Sequence, residues 1–310
     1  MPQLSLYQKI ARNPSLAFRR GKRELENQIE DWVRGMTQRH IWSEVVNQKE
    51  IRVVGLRRTG NHALLNWIKE QEKGEVWHLN NVQSQENPYR YKYNNLSEFF
   101  PNNKWSIDRF KNQAKGNLTP KDCLIYNYED YALSDVFSEK FEEKHDLYLG
   151  KTKTRYDVLV IRDPFNLLAS RLKNNYMPTK DKNKNCIDLW IDYAKEYLGE
   201  TQYLRYNKVC VNYNQWTTDI EYRKQIAQQL NLEFSDAGIN KVSGCGGGSS
   251  FEGRALDGQA NQLDIGNRWK HFCEDKVYRK LLDNEQLWLY SEQIFGQISG
   301  TEQLRMKEMI

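Results

Sequence analysis

A chain of 310 residues with 12% aromatics and 39% hydrophobic residues has enough apolar material to bury a sizeable core, which excludes a disordered polymer. The formal net charge of +5 gives no reason to expect a nucleic-acid partner. Five scattered cysteines with no CxxC or His/Cys cluster argue against a zinc site and suit buried free thiols in a reducing compartment.

In chain order, residues 1–49 read as an amphipathic helical extension, with Leu25, Ile29, Trp32 and Met36 at helical spacing and Arg20-Gly21-Lys22 as a break between two helices. Its first 23 residues carry Lys9, Arg12, Arg19, Arg20, Lys22 and Arg23 and no acidic residue. Such a segment fits a membrane surface or an anionic polymer, and equally a solvated basic helix. No apolar run reaches the ~18–20 residues that span a bilayer, and no signal-like segment opens the chain, so the expected location is cytoplasmic.

From residue 50 the pattern alternates. Ile51–Gly55 is a short apolar strand, followed by a glycine-bearing turn and a helix over Ala63–Glu70; Glu75–Leu79 is a second strand. Residues 80–122 form a long excursion with short helices near Leu96–Phe100 and Ser106–Lys111. Strands are predicted at Cys123–Tyr128, Tyr156–Ile161 and Val209–Tyr213, and helices at Asp135–Lys144, Cys186–Tyr203 and Asp219–Leu230. Asp163 suits an N-cap with Pro164 at the first helical position. Gly244–Ser250 is a Gly/Ser-rich loop, and two helices close the chain. Strands alternating with helices imply an α/β fold, a mainly parallel, doubly wound sheet flanked by helices over residues 50–310.

Two loops carry candidate chemistry. Gly55-Leu56-Arg57-Arg58-Thr59-Gly60-Asn61-His62 follows a strand and opens a helix, which aims backbone N–H groups at an anion. Its glycine spacing is that of a Walker A loop, but Asn61-His62 stand where the Lys-Ser/Thr pair would be. The hydroxyl that would hold Mg²⁺ is therefore missing, which disfavours a metal-dependent kinase or NTPase; Arg57 and Arg58 bring the charge to the first half of the loop instead. In the second loop, Arg162 leaves a strand and Ser170 lies inside the next helix, so that together they can clamp one dianion.

The ordered pair of loops resembles the superfamily of sulfotransferases that use 3′-phosphoadenosine 5′-phosphosulfate (PAPS), whose fold is P-loop NTPase-like. The resemblance spans about residues 51–295 and leaves the N-terminal extension outside. It implies that the first loop grips the 5′ phosphosulfate without a metal. Arg58 replaces the usual lysine there, and Thr59, Gly60, Asn61 and His62 take the places of a Ser-Gly-Thr-Thr run. Arg162 and Ser170 would grip the 3′ phosphate. Tyr213 and the Ser249-Ser250-Phe251 segment would flank adenine. Gly266-Asn267-Arg268-Trp269-Lys270 resembles a late Gly-Asp-Trp-Lys element. Two departures stand out. Ala63 occupies the place of an aromatic that stacks on adenine, so Phe251 or Trp67 must compensate. The late basic triplet is absent, which leaves Arg254 or Arg268 to supply a second grip on the 3′ phosphate.

The implied reaction moves a sulfuryl group to a hydroxyl or amine acceptor, a carbohydrate or small molecule. Arg58 would stabilise the leaving phosphate. For the general base the candidates are Glu129 first, then Asp130, with His78 and His62 as competitors. Tyr89, Tyr91, Tyr93 and Trp105, with Lys173, Lys180, Lys182 and Lys184, would flank the acceptor if the family layout holds, where a glycan fits; the aromatics equally suit the core, and the lysines fit a solvated charge run better. A non-catalytic nucleotide- or glycan-binding protein is the remaining alternative.

Overall fold

The computed structural model describes residues 14–37, 44–181, 183–244 and 247–305. The expectations for residues 1–13, Lys182 and Cys245 lie outside these ranges.

The sheet has five parallel strands in the order β2-β3-β1-β4-β5, with β1 at Val45–Gly55, β2 at Val76–Leu79, β3 at Lys121–Glu129, β4 at Lys151–Ile161 and β5 at Val209–Asn212. Every strand is therefore flanked by helical crossovers, as parallel pairing requires. Side chains alternate between two cores. On one face, Ile51, Val53, Ile125, Val158 and Val160 pack with Leu64, Trp67, Ile68 and Trp216. That face is covered by α2 (Asn61–Gln71) and α7 (Ile220–Gln229). On the other, Val54, Leu124, Tyr126, Leu159 and Ile161 pack with Leu168, Trp190 and Tyr193. Here α5 (Pro164–Lys173) and α6 (Cys186–Leu198) form the cover. The doubly wound parallel architecture expected from the alternation is present.

Local chemistry sets the element boundaries. Asp163 caps α5 by accepting from the Asn166 N–H at 2.8 Å, with Pro164 in the first turn. α6 opens on a reciprocal Asn185/Asp188 capping box and ends at Leu198, five residues before its expected end at Tyr203, with Gly199 in the left-handed region as its cap. The Glu196 carboxylate then accepts from the Tyr203 and Leu204 N–H groups, which turns the chain away from the helix. The helix expected at Asp135–Lys144 is instead three short turns, Leu133–Val136, Glu139–Glu142 and His145–Leu149, interrupted by Ser138 in an extended conformation. In the excursion, α3 (Pro88–Phe99) and α4 (Lys104–Ala114) are longer than the short helices expected there.

The N-terminal reading needs two corrections. Gly21 does not break the helix, because α1 runs without interruption over Pro14–Thr37; glycine weakens a helix interior by only about 1 kcal/mol. Residues 45–49 belong to β1, where Val46 and Asn47 are buried and Asn47 donates to the Leu149 carbonyl at 3.0 Å. α1 is fastened to the body through polar residues. Arg90 donates to Asp31 at 2.7 and 3.2 Å, the Tyr148 hydroxyl to Asp31 at 2.9 Å, and Arg34 to the carbonyls of Ala114 and Leu147 at 2.7 and 2.6 Å.

Beneath the second face lies a buried ion network. His145 Nε2 meets Glu50 at 2.8 Å, Arg155 pairs with Glu50 and Glu142, and Arg52 with Asp157 and Glu142. Burial opposes the Glu50 carboxylate, but the charges of His145 and Arg155 outweigh it and hold its pKa well below the ordinary range. Glu142 is likewise held at about 2 by Arg52 and Arg155, against its burial. Burial also opposes the His145 imidazolium, yet Glu50 and the bond to Asp146 keep its pKa above the ordinary value. The depressed acids stabilise the fold above their unfolded pKa of 4.5 and lose that contribution as pH falls. The raised histidine stabilises it fully below about 6.5 and loses that contribution as pH rises through its folded pKa. Urea midpoints should therefore decline above neutral pH, and H145Q should flatten that alkaline limb. An unchanged alkaline slope in H145Q would show that another group drives it.

Candidate functional site

In the strand order, the chain passes from β1 over β3 to β2 on one side and from β3 over β1 to β4 on the other, so the crevice at the C-terminal ends beside β1 is the topological switch point. Three of the sequence's candidate segments meet there: the loop after Gly55, Glu129 at the end of β3, and Arg162 just beyond β4.

The loop is shaped by its two glycines. A Cβ on Gly55 would lie 2.1 Å from Asn61 Oδ1, and one on Gly60 would lie 2.1 Å from the Tyr213 ring. Gly60 also has φ of 106°, a conformation that side chains disfavour. Asn61 Nδ2 ties the turn together by donating to the Leu56 carbonyl and to Glu129 Oε1, both at 3.1 Å. The Thr59 N–H closes the turn onto the Leu56 carbonyl at 3.1 Å, with its side chain buried. Gly60 caps α2 without a side chain, so nothing from the cap covers the positive end of the helix.

Three guanidinium groups converge on this end. Arg162, fully buried, donates to the Arg58 carbonyl at 3.1 Å, approaches Ser170 Oγ at 3.5 Å and reaches the Ile265 carbonyl. Arg268 donates to Ser170 Oγ at 3.1 Å and to Ser249 Oγ at 2.9 Å, while its Nε is buried without a partner. Arg58, at φ of 72°, reaches across to the Gly248 carbonyl at 2.9 Å. Burial lowers the pKa of all three, and Arg162 pushes Arg268, at about 10, and Arg58 further down. Arg162 and Arg268 donate to neutral carbonyls and hydroxyls, while Glu252 stands 3.6 Å from Arg268 and accepts from Ser249, and the charge of Asp163 acts on Arg162. Concentrated buried charge of one sign is unfavourable until an anion answers it.

A cavity of about 240 Å³ opens beside this cluster, lined by Arg58, Arg162, Arg268, Asn61, His62 and Ala63 among others. Tyr213 and Trp216 form part of its wall, stacked with centroids 5.7 Å apart and planes 22° apart. Trp216 is the residue that sequence reasoning missed. Its only signal was the three-residue spacing from Tyr213, which puts both on one side of the short helix Tyr213–Thr218. Segments 239–243 and 260–265 also line the cavity and carry no motif.

The other candidates fall in different places. Trp67 is core, donating from Nε1 to Asp236 at 3.0 Å, so it cannot stack on a ligand. Phe251 stands outside the cavity wall, against His271 at 5.0 Å, with the Arg268 guanidinium 5.3 Å from its ring centre. Arg254 is turned to the surface, where it pairs with Asp257 at 2.9 Å; of the two arginines proposed for the second grip, only Arg268 joins the cluster. Arg57 lies half-buried beside the Tyr176 ring, and its N–H donates to Asp130.

Among the candidate bases, Glu129 lines the cavity, with His62 Nε2 at 3.8 Å and Arg57 Nε at 3.9 Å. Burial lowers the His62 pKa, with Glu129 pulling the other way. Asp130 faces elsewhere: it is fully buried and takes Arg171 Nη1 at 2.6 Å and the Arg57 N–H at 2.9 Å. His78 lies on β2 with Nε2 at 3.1 Å from Asn127, and burial drops its pKa to about 3. A base that weak holds no proton at neutral pH.

No protein-family model matches the chain, and no curated protein sequence matches it. Solved structures do overlay on it. The sulfotransferase domain from the Synechococcus PCC 7002 olefin synthase aligns with 14% identity and a TM-score of 0.41, over 81% of this chain and 95% of that one. Mouse sulfotransferase SULT7A1, complexed with PAP, aligns with 13% identity and a TM-score of 0.43, over 86% and 89%. Overlaps of this extent leave the chemistry to be read from the site's own residues.

Proposed function

We propose that the protein is a sulfotransferase that takes its sulfuryl group from PAPS. The observation that carries the reading is the convergence of Arg58, Arg162 and Arg268 on one cavity, with Ser170 beside the last two, at a helix N-terminus capped by glycine alone. One nucleotide bearing anionic groups at both its 3′ and 5′ positions would answer both features. Arg162, Arg268 and Ser170 would hold the 3′ phosphate. Arg58 and the N–H groups that open α2 would hold the 5′ phosphosulfate. Tyr213, backed by the buried Trp216, offers an aromatic wall for adenine, the place that Ala63 leaves vacant.

The acceptor hydroxyl oxygen forms a bond to sulfur as the bond from sulfur to the bridging phosphate oxygen breaks. The electron pair leaves with adenosine 3′,5′-bisphosphate, and the acceptor proton passes to the Glu129 carboxylate. Positioning and charge stabilisation do most of the work, since the enzyme makes no nucleophile of its own. A glycan is the acceptor class we favour. The unpaired, largely buried Cys123, Cys186 and Cys210 suit a reducing compartment such as the cytoplasm.

Thermal-shift titration tests the donor side. Adenosine 3′,5′-bisphosphate should raise the melting temperature, by an amount equivalent to about 2.7 kcal/mol at a hundredfold excess over Kd. AMP should do far less, and ATP should gain nothing from Mg²⁺. Equal shifts with AMP, or Mg²⁺-dependent ATP turnover, would overturn the assignment. A radiolabelled sulfate-transfer screen over sugars, lipids and phenols then finds the acceptor and separates an enzyme from a nucleotide-binding protein. In that assay E129Q should lose about 10²–10⁴ in rate while keeping the bisphosphate shift. Full rate in E129Q would remove Glu129 as the base.

A further inference from the structure

Helix α1 is docked inside out. At about 100° per residue, Phe18, Leu25, Ile29, Trp32, Val33 and Met36 fall within one arc of roughly 100°. All six are exposed, from 42% for Val33 to 74% for Phe18. Asp31 and Arg34, which fasten the helix to the body, lie on the roughly opposite side and are buried. A surface helix of a soluble domain normally turns its apolar stripe to the core. Here the polar side is spent on the body and the apolar side faces out.

Two further features sit at the same end of the molecule. A groove lined by Glu24, Asn27, Asn94 and Glu98 follows α1 along α3 toward the turn between α3 and α4. At that turn Phe99, Phe100 and Trp105 are each more than 60% exposed. The chain leading into and opening α1 holds six basic residues and no acidic one over positions 1–23.

We propose that α1 is a membrane-docking helix that lays its outward stripe on an anionic lipid bilayer, with the α/β body carried on its other side. An amphipathic helix with Trp, Phe and Leu on one side and basic residues nearby lies in the headgroup region, its apolar side sunk by about 5–10 Å. Each basic residue close to an anionic leaflet strengthens binding by about fivefold. A bilayer of that charge meets the apolar area and the cationic charge together, whereas pairing with a second copy would cover the stripe and leave the charge unanswered. The surface is separate from the cavity at the switch point and does not depend on sulfuryl transfer.

Flotation of the full chain with vesicles tests it. The chain should float with phosphatidylcholine vesicles containing about 30% phosphatidylserine, stay behind with phosphatidylcholine alone, and be released by about 0.5 M salt. The triple variant L25E/I29E/W32E should lower vesicle partition at least about a hundredfold. Its melting temperature and its bisphosphate shift should match wild type, because all three side chains are exposed. Wild type failing to float with anionic vesicles, or the triple variant floating equally well, overturns the proposal. So does light scattering that finds a dimer which the triple variant converts to monomer in the absence of any vesicle binding.

Discussion

Arg58→Ala should lower the rate of sulfuryl transfer by about 10²–10³-fold, the usual loss when one donor to a developing negative charge is removed. The side chain lines the cavity from the middle of the phosphate loop and is held by the Gly248 carbonyl at 2.9 Å, so it is aimed before any ligand arrives. Its half-buried position shields it in part from water, which strengthens its interaction with an anion. Because the charge on the bridging oxygen grows as the sulfur bond breaks, most of the defect should appear in kcat, with a smaller change in KM. Radiolabelled transfer at saturating donor is the direct measurement. Activity within a few-fold of wild type would remove Arg58 from the reaction.

The second large effect has two opposite signs. Arg268→Met should weaken adenosine 3′,5′-bisphosphate binding by about 10–100-fold, the loss of charge-assisted bonds worth about 1.5–3 kcal/mol. The same change should raise the melting temperature of the ligand-free protein. Arg268 has its pKa lowered to about 10 by burial first and by the charge of Arg162 second, and its Nε is buried without a hydrogen-bond partner. Replacing such a charge by an apolar side chain of similar length relieves repulsion and desolvation. A structural arginine would behave differently, with stability and binding falling together. Calorimetric titration and a melting curve on one preparation separate the two cases. Concurrent loss of both would return Arg268 to a purely structural role.

The fold was largely legible because the buried strands are short apolar runs and their helices carry explicit boundary signals. Asp163-Pro164 marks the start of α5, and Gly199 ends α6 short of Tyr203. The sequence suggests one helix at 135–144, where three short turns stand. The ion network around Glu142 and the extended Ser138 hold that segment as separate turns. At the site, motif spacing pointed to Arg58, Arg162, Ser170 and Tyr213, since a strand-to-helix turn fixes where such residues lie. It could not separate Arg254 from Arg268, nor show that Phe251 stands outside the cavity and Trp67 in the core. Those choices depend on which way a loop folds and which side of a helix meets the core. The outward stripe of α1 was visible as periodicity, but periodicity alone gives a stripe and not the direction it faces.

One consequence follows from Asp130. Its carboxylate holds Arg171 and the Arg57 N–H, its backbone carbonyl accepts from the Lys180 N–H at 2.9 Å, and Arg171 also reaches the Arg57 carbonyl at 3.2 Å. The phosphate loop, the end of β3 and the lysine-bearing segment after α5 are thereby keyed together like stones around one wedge. On the proposed reading, donor and acceptor sides would share a single frame of reference, and motion that brings an acceptor closer would carry the loop after β1 with it. Alignment for in-line attack would then be set within the folded chain, before either substrate arrives.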